Sequence, residues 1–157
     1  MSLKDLLIVS AAVAIGFATT AAAANSKRTF TLAAIEPKGG VTVDNEPFPT
    51  AALPEGSGIV LKQPNAEGRW EVSTYLWSAQ QITVNQGDDV TLQFVGINGA
   101  SHPTTIEGYD QSFTLKRGEA HSVSFRAHKA GMFKIICATH GPTMVSELVV
   151  TPAAATE

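Results

Sequence analysis

Apolar and polar residues alternate along much of this chain, and the alternation predicts strands. In Asp89–Ile97, Val90, Leu92 and Phe94 fall on one side, with Thr91, Gln93 and Val95 on the other. His121–Ala127 sets Val123 and Phe125 against Ser122, Ser124 and Arg126. In Met132–Cys137, Phe133, Ile135 and Cys137 share one face. Arg28–Ile35, Trp70–Trp77, Gln81–Val84 and Ser146–Thr151 read as further strands, and Gln111–Leu115 as a short extended piece. Turn signals separate them: Asn85–Asp88, Asn98-Gly99, Lys116–Glu119 and Lys129–Gly131. There is no amphipathic helix and no internal repeat. The pattern predicts an all-β, antiparallel sandwich or barrel.

Between the first strand and Trp70 the pattern breaks down. Glu36–Arg69 carries Pro37, Pro47, Pro49, Pro54 and Pro64 with several glycines, which interrupt regular structure. Val41–Val43 and Gly58–Leu61 could form short edge strands; the remainder reads as a loop wrapping the domain, with no chemistry to assign. The expected layout is residues 25–69 as an N-terminal strand and Pro/Gly-rich loop, 70–152 as the core and 153–157 as a loose tail.

Residues 1–24 differ in kind. A short polar start with Lys4 leads into an Ala-rich apolar run from Leu6 to Ala24, followed by Asn25-Ser26-Lys27-Arg28. This is the layout of a secretory signal peptide with cleavage before Asn25. The competing reading is an uncleaved anchor, since the run is nearly long enough to span a bilayer; its Ala, Thr and Ser content weakens that reading. Either way the folded part is expected outside the cytoplasm: periplasmic or secreted, or membrane-anchored and facing outward. A formal charge of −3 without any basic run excludes a nucleic-acid binder. A single cysteine excludes an internal disulfide.

That cysteine opens Cys137-Ala-Thr-His140-Gly-Pro-Thr-Met144, a thiolate, an imidazole and a thioether within eight residues. Such soft donors with a borderline nitrogen suit copper. The bland alternative, a buried thiol packing as a small hydrophobe, weakens once His102 is added. His102 follows the Asp89–Ile97 strand, 35 positions before Cys137, where two strand ends of a sandwich can meet. His102, Cys137, His140 and Met144 match the trigonal His₂Cys plane with a weak axial Met of a blue-copper electron-transfer site. His121 and His128 are read as surface residues, Met132 as packed at the start of its strand, and Trp70 and Trp77 as core or rim aromatics.

With these residues the sequence resembles the cupredoxin family over about Ser73–Thr151. The stretch from Gln81–Asp88 to Gly131–Cys137 looks most like the branch containing nitrosocyanin and the copper domains of cytochrome oxidase subunit II and nitrous oxide reductase; the ligand set looks like the plastocyanin and amicyanin type. The resemblance implies a Greek-key β-sandwich, one type 1 copper and one-electron transfer. A dinuclear centre needs two cysteines. The red-copper relative has Glu in place of His102 and a second His in place of Met144, so blue copper is favoured. Pro103 stands where many cupredoxins have Asn, which bears on the hydrogen bonds around the sulfur.

The function expected is an exported electron carrier exchanging single electrons with protein redox partners, a cytochrome or an oxidase or reductase. No enzyme is expected, because the ligand set leaves no open position for substrate, and no stable membrane insertion if the signal is cleaved. The alternatives are a red-copper redox protein and a copper carrier or chaperone. The second is disfavoured by only three methionines, one of them the initiator.

Overall fold

The computed structural model describes residues 25–153. The expected signal segment, residues 1–24, and the tail from residue 154 lie outside the described residues. Twelve strands follow in order: β1 (Lys27–Ile35), β2 (Lys38–Thr42), β3 (Ile59–Lys62), β4 (Arg69–Thr74), β5 (Leu76–Trp77), β6 (Gln81–Asn85), β7 (Asp89–Gly96), β8 (Ser101–Ile106), β9 (Gln111–Lys116), β10 (Ala120–Arg126), β11 (Gly131–Cys137) and β12 (Val145–Thr151).

Two sheets form the sandwich, ordered β10-β7-β1-β5 and β6-β12-β11-β8-β9. Their inward faces are the alternating positions expected from sequence. Val90, Leu92 and Phe94 of β7, Phe133, Ile135 and Cys137 of β11, and Ile82 and Val84 of β6 all belong to one buried cluster. The same period-two rule places Met132 on the outer face of β11. It is 62% exposed, which corrects the expectation that it packs.

Most pairings are antiparallel, but β1 runs parallel to β7 and β6 parallel to β12. Alternation within a strand says which face is buried and nothing about the direction of its neighbour. Parallel neighbours need long connections; here the chain visits other strands between the two members of each pair.

A third sheet, β2-β4-β3, stands apart from the sandwich. The two expected edge strands of the Pro/Gly-rich segment are its outer strands, shifted by a few residues. Trp70–Trp77, expected as one strand, divides at Tyr75: β4 belongs to the third sheet and β5 pairs with β1. The spacing gives the reason. Trp70 and Trp77 are an odd number of positions apart, so one straight strand would point them to opposite faces, yet both are buried. Trp77 enters the main core edge-on to Phe94. Trp70 serves the small sheet, packing against Phe48 and donating from Nε1 to the Glu46 carbonyl at 2.9 Å. Tyr75 sits at the point where the chain changes sheets.

Candidate metal centre

The site lies at one end of the sandwich, where β11 finishes and β8 begins. Cys137, last residue of β11, is registered against Thr104 of β8, and the Ala138 amide donates to the Pro103 carbonyl at 2.9 Å. This pairing carries His102, second residue of β8, to the cysteine across the intervening 35 positions. His102 therefore sits within a strand that alternation did not reveal, because Ser101-His102-Pro103-Thr104 shows no apolar member.

The loop after Cys137 closes on itself. The Met144 amide donates to the His140 carbonyl at 3.1 Å, and the Cys137 amide donates to the Met144 carbonyl at 3.1 Å. Thr143 Oγ1 also donates to the His140 carbonyl. The backbone of Met144 thus returns beside Cys137, and its side chain is fully buried in the core cluster.

Three donors converge. His102 Nδ1 lies 3.2 Å from His140 Nδ1, and Cys137 Sγ lies 3.8 Å from the first and 3.4 Å from the second. Around one first-row ion, bonds of about 2.0 Å to nitrogen and about 2.3 Å to sulfur at trigonal to tetrahedral angles leave donors roughly 3.2–3.8 Å apart. The three residues therefore fit a single metal ion, and among the described residues they are the group of His, Cys, Asp and Glu side chains with such convergence. His121 and His128 are exposed, as expected from sequence. His121 stacks on Phe113 and His128 lies edge-on to Tyr109.

Polar neighbours prepare these donors. His102 Nε2 lies 2.7 Å from the Asn98 carbonyl. A carbonyl only accepts, so Nε2 carries the proton and the Nδ1 lone pair faces the other two donors. Burial pushes the Cys137 thiol above its ordinary pKa, while the N–H groups of Thr139 and His140 pull it back down. Burial, and next the proximity of His102, hold His140 below the ordinary imidazole value and favour its neutral, ligating form.

Three neighbours of the site were not legible in the sequence. Asn98 belongs to a turn signal, and nothing marks its carbonyl as the anchor of His102. Gly99 has φ +76°, and a Cβ there would lie 2.7 Å from His102 Cε1; the imidazole occupies the space a side chain would take. Tyr75 stacks on the His140 ring, centroids 4.0 Å apart and planes at 27°. Only the Asn-Gly dipeptide carried a sequence signal, and it was one for a turn.

A β-sandwich closing a His₂Cys cluster between its strand ends is the class of molecule that fold and site define. No family model matches the chain. It is 29% identical over 109 residues to the nitrous-oxide reductase of Ralstonia nicotianae, an alignment covering 68% of this chain and 17% of that protein. Its fold is similar to that of the copper nitrite reductase of Nitrosomonas europaea (TM-score 0.55, 16% identity, 84% of this chain and 44% of that one). It is likewise similar to the blue copper oxidase of Nitrosomonas europaea (TM-score 0.56, 18% identity, 83% and 41%). The chain thus spans less than half the length of each. Its fold is a cupredoxin-like β-sandwich.

Proposed function

We propose that this protein is an exported mononuclear copper protein of the blue type that carries single electrons between protein redox partners and is not itself an enzyme. The observation that carries this reading is the convergence of His102 Nδ1, His140 Nδ1 and Cys137 Sγ within 3.8 Å of one another. Two proteins of similar fold are a copper nitrite reductase and a blue copper oxidase, which supports copper as the metal here. In this reading His102, Cys137 and His140 would hold the ion, with Met144 as a further, weak thioether donor. Copper, when bound, supplies one-electron Cu(I)/Cu(II) chemistry.

The chain's own residues supply rigidity and access. Asn98 fixes the His102 tautomer, two backbone N–H groups face the sulfur, and the loop hydrogen bonds hold Met144 beside Cys137. Donors held in this way need little rearrangement between oxidation states, which is what fast electron transfer requires. Cys137 and His102 are fully buried, whereas His140 is partly exposed, so its imidazole edge is the route by which an electron reaches a docked partner.

Metal analysis, visible absorption and EPR of the copper-loaded protein test the reading. One copper per chain is expected, with a sulfur-to-copper charge-transfer band that disappears in Cys137→Ser. Two coppers per chain, both lost in Cys137→Ser, would sink the mononuclear assignment. For export, N-terminal sequencing is expected to begin at Asn25; a start at Met1 in a membrane fraction would favour the anchored alternative.

A further inference from the structure

The third sheet was left without a role by the sequence, yet residues at the ends of two of its strands meet the ligand loop. Tyr75, between β4 and β5, lays its ring on that of His140 at 4.0 Å and lies 6.0 Å from the ring of His102. Burial first, and next the Glu36 carboxylate, push its hydroxyl above the ordinary tyrosine pKa. Glu36 is itself held from both sides: its carboxylate is 2.8 Å from Lys38 Nζ at the start of β2, and its amide donates to Asn98 Oδ1 at 3.0 Å. On the other side of the loop, Gly58 approaches so closely that a Cβ would meet Thr143 Oγ1 at 2.8 Å and Pro142 Cδ at 3.3 Å. Asn98 therefore joins the two systems, with its carbonyl on His102 and its side chain on Glu36.

We propose that Tyr75 is a positioning residue for the metal centre: its ring, stacked on the His140 imidazole, holds it in the orientation that presents Nδ1 to Cys137 and His102. The inference rests on the copper reading for its metal-bound half and on the metal-free geometry for the other half. His140 needs such a support more than His102 does. No hydrogen bond to its second ring nitrogen is present among the described residues, whereas His102 has the Asn98 carbonyl. A ligating histidine without that partner has one rotation to fix, and a stacked ring fixes it by contact over the whole face. The residues flanking the third sheet then act as a brace, with Tyr75 on the ring and Gly58 on the Pro142–Thr143 turn.

The test uses the full chain as wild type, Tyr75→Phe and Tyr75→Leu. In the metal-free protein, NMR of the His140 imidazole protons is expected to show an upfield ring-current shift, kept in Tyr75→Phe and lost in Tyr75→Leu. Cu(I) affinity, measured by competition with a chromogenic chelator, is expected to fall about tenfold in Tyr75→Leu and to recover to within about threefold of wild type in Tyr75→Phe. EPR of the Cu(II) form of Tyr75→Leu is expected to broaden. A ring that only stabilised the fold would lower the denaturation midpoint of Tyr75→Leu while leaving affinity and EPR as in wild type; that outcome overturns the proposal. Equal losses in Tyr75→Phe and Tyr75→Leu overturn it too, since they assign the effect to the hydroxyl rather than the stack. If wild type itself shows no copper–thiolate band, the copper reading fails, and the metal-free NMR comparison still decides the role of Tyr75.

Discussion

Replacing Gly99 with alanine isolates how much of the site's geometry depends on one missing side chain. Gly99 has φ +76°, and Gly118 has φ +79°. Both pay the same backbone penalty on gaining a Cβ, about 1–2 kcal/mol. They differ in surroundings. A Cβ at Gly118 meets nothing within 4 Å, whereas at Gly99 it lies 2.7 Å from His102 Cε1, 2.9 Å from His102 Nε2 and 3.0 Å from Tyr75 Cε1. To restore ordinary contact at 3.4 Å, the His102 ring must retreat by roughly 0.7 Å, the difference between 3.4 and 2.7. It cannot do so freely, because Nε2 is held 2.7 Å from the Asn98 carbonyl and the ring is fully buried against Trp77. Weakening that bond costs about 1 kcal/mol, and crowding a packed core costs about 1 kcal/mol or more. Gly99→Ala is therefore expected to be about 2 kcal/mol less stable than Gly118→Ala. Urea denaturation of the metal-free proteins, with unchanged m-values, reads this difference. The Gly99 variant is also expected to bind copper more weakly, since Nδ1 moves with the ring. Variants matching within about 0.5 kcal/mol, with wild-type copper affinity in Gly99→Ala, would refute the claim that the imidazole fills this space.

Further outcomes follow from the ligand loop and the opposite end of the molecule. Met144→Leu is expected to raise the reduction potential and keep the protein blue, while Met144→Gln lowers the potential and shifts the spectrum toward green or red; voltammetry and absorption unchanged in both would remove Met144 from the ligand set. Asp88 is buried and accepts from the Asn85 and Ser26 amides at 3.0 Å each, and these bonds, Asn85 first, hold its carboxyl below the usual range. Because the folded-state value is depressed, its contribution is present above the unfolded value of about 3.9 and fades as pH falls through the folded one. Asp88→Asn is thus expected to be destabilised by about 2 kcal/mol at neutral pH, with the gap to wild type closing below about pH 4; a pH-independent gap in denaturation experiments would contradict this.

Much of the molecule was written locally. Period-two alternation located β1, β7, β10 and β11, because a strand's two faces are set by its own residues, and β6, β9 and β12 were legible as short extended runs between turn signals. The candidate donors of the loop were close in sequence for a similar reason: Cys137, His140 and Met144 fall within eight residues, and a short loop between strands keeps its members together. The tertiary structure decided what depends on distant partners. Parallel pairing of β1 with β7 and of β6 with β12 is a property of two strands at once. The same holds for β8, whose residues do not alternate and which exists because β9 and β11 pair with it. The transfer at Tyr75 from the third sheet to β5 follows from two separate apolar environments claiming Trp70 and Trp77. The carbonyl of Asn98, the empty Cβ position of Gly99 and the ring of Tyr75 act on the histidines through distances of a few ångströms between segments far apart in the chain. Residue types and spacing carry no record of such distances until long-range packing creates them.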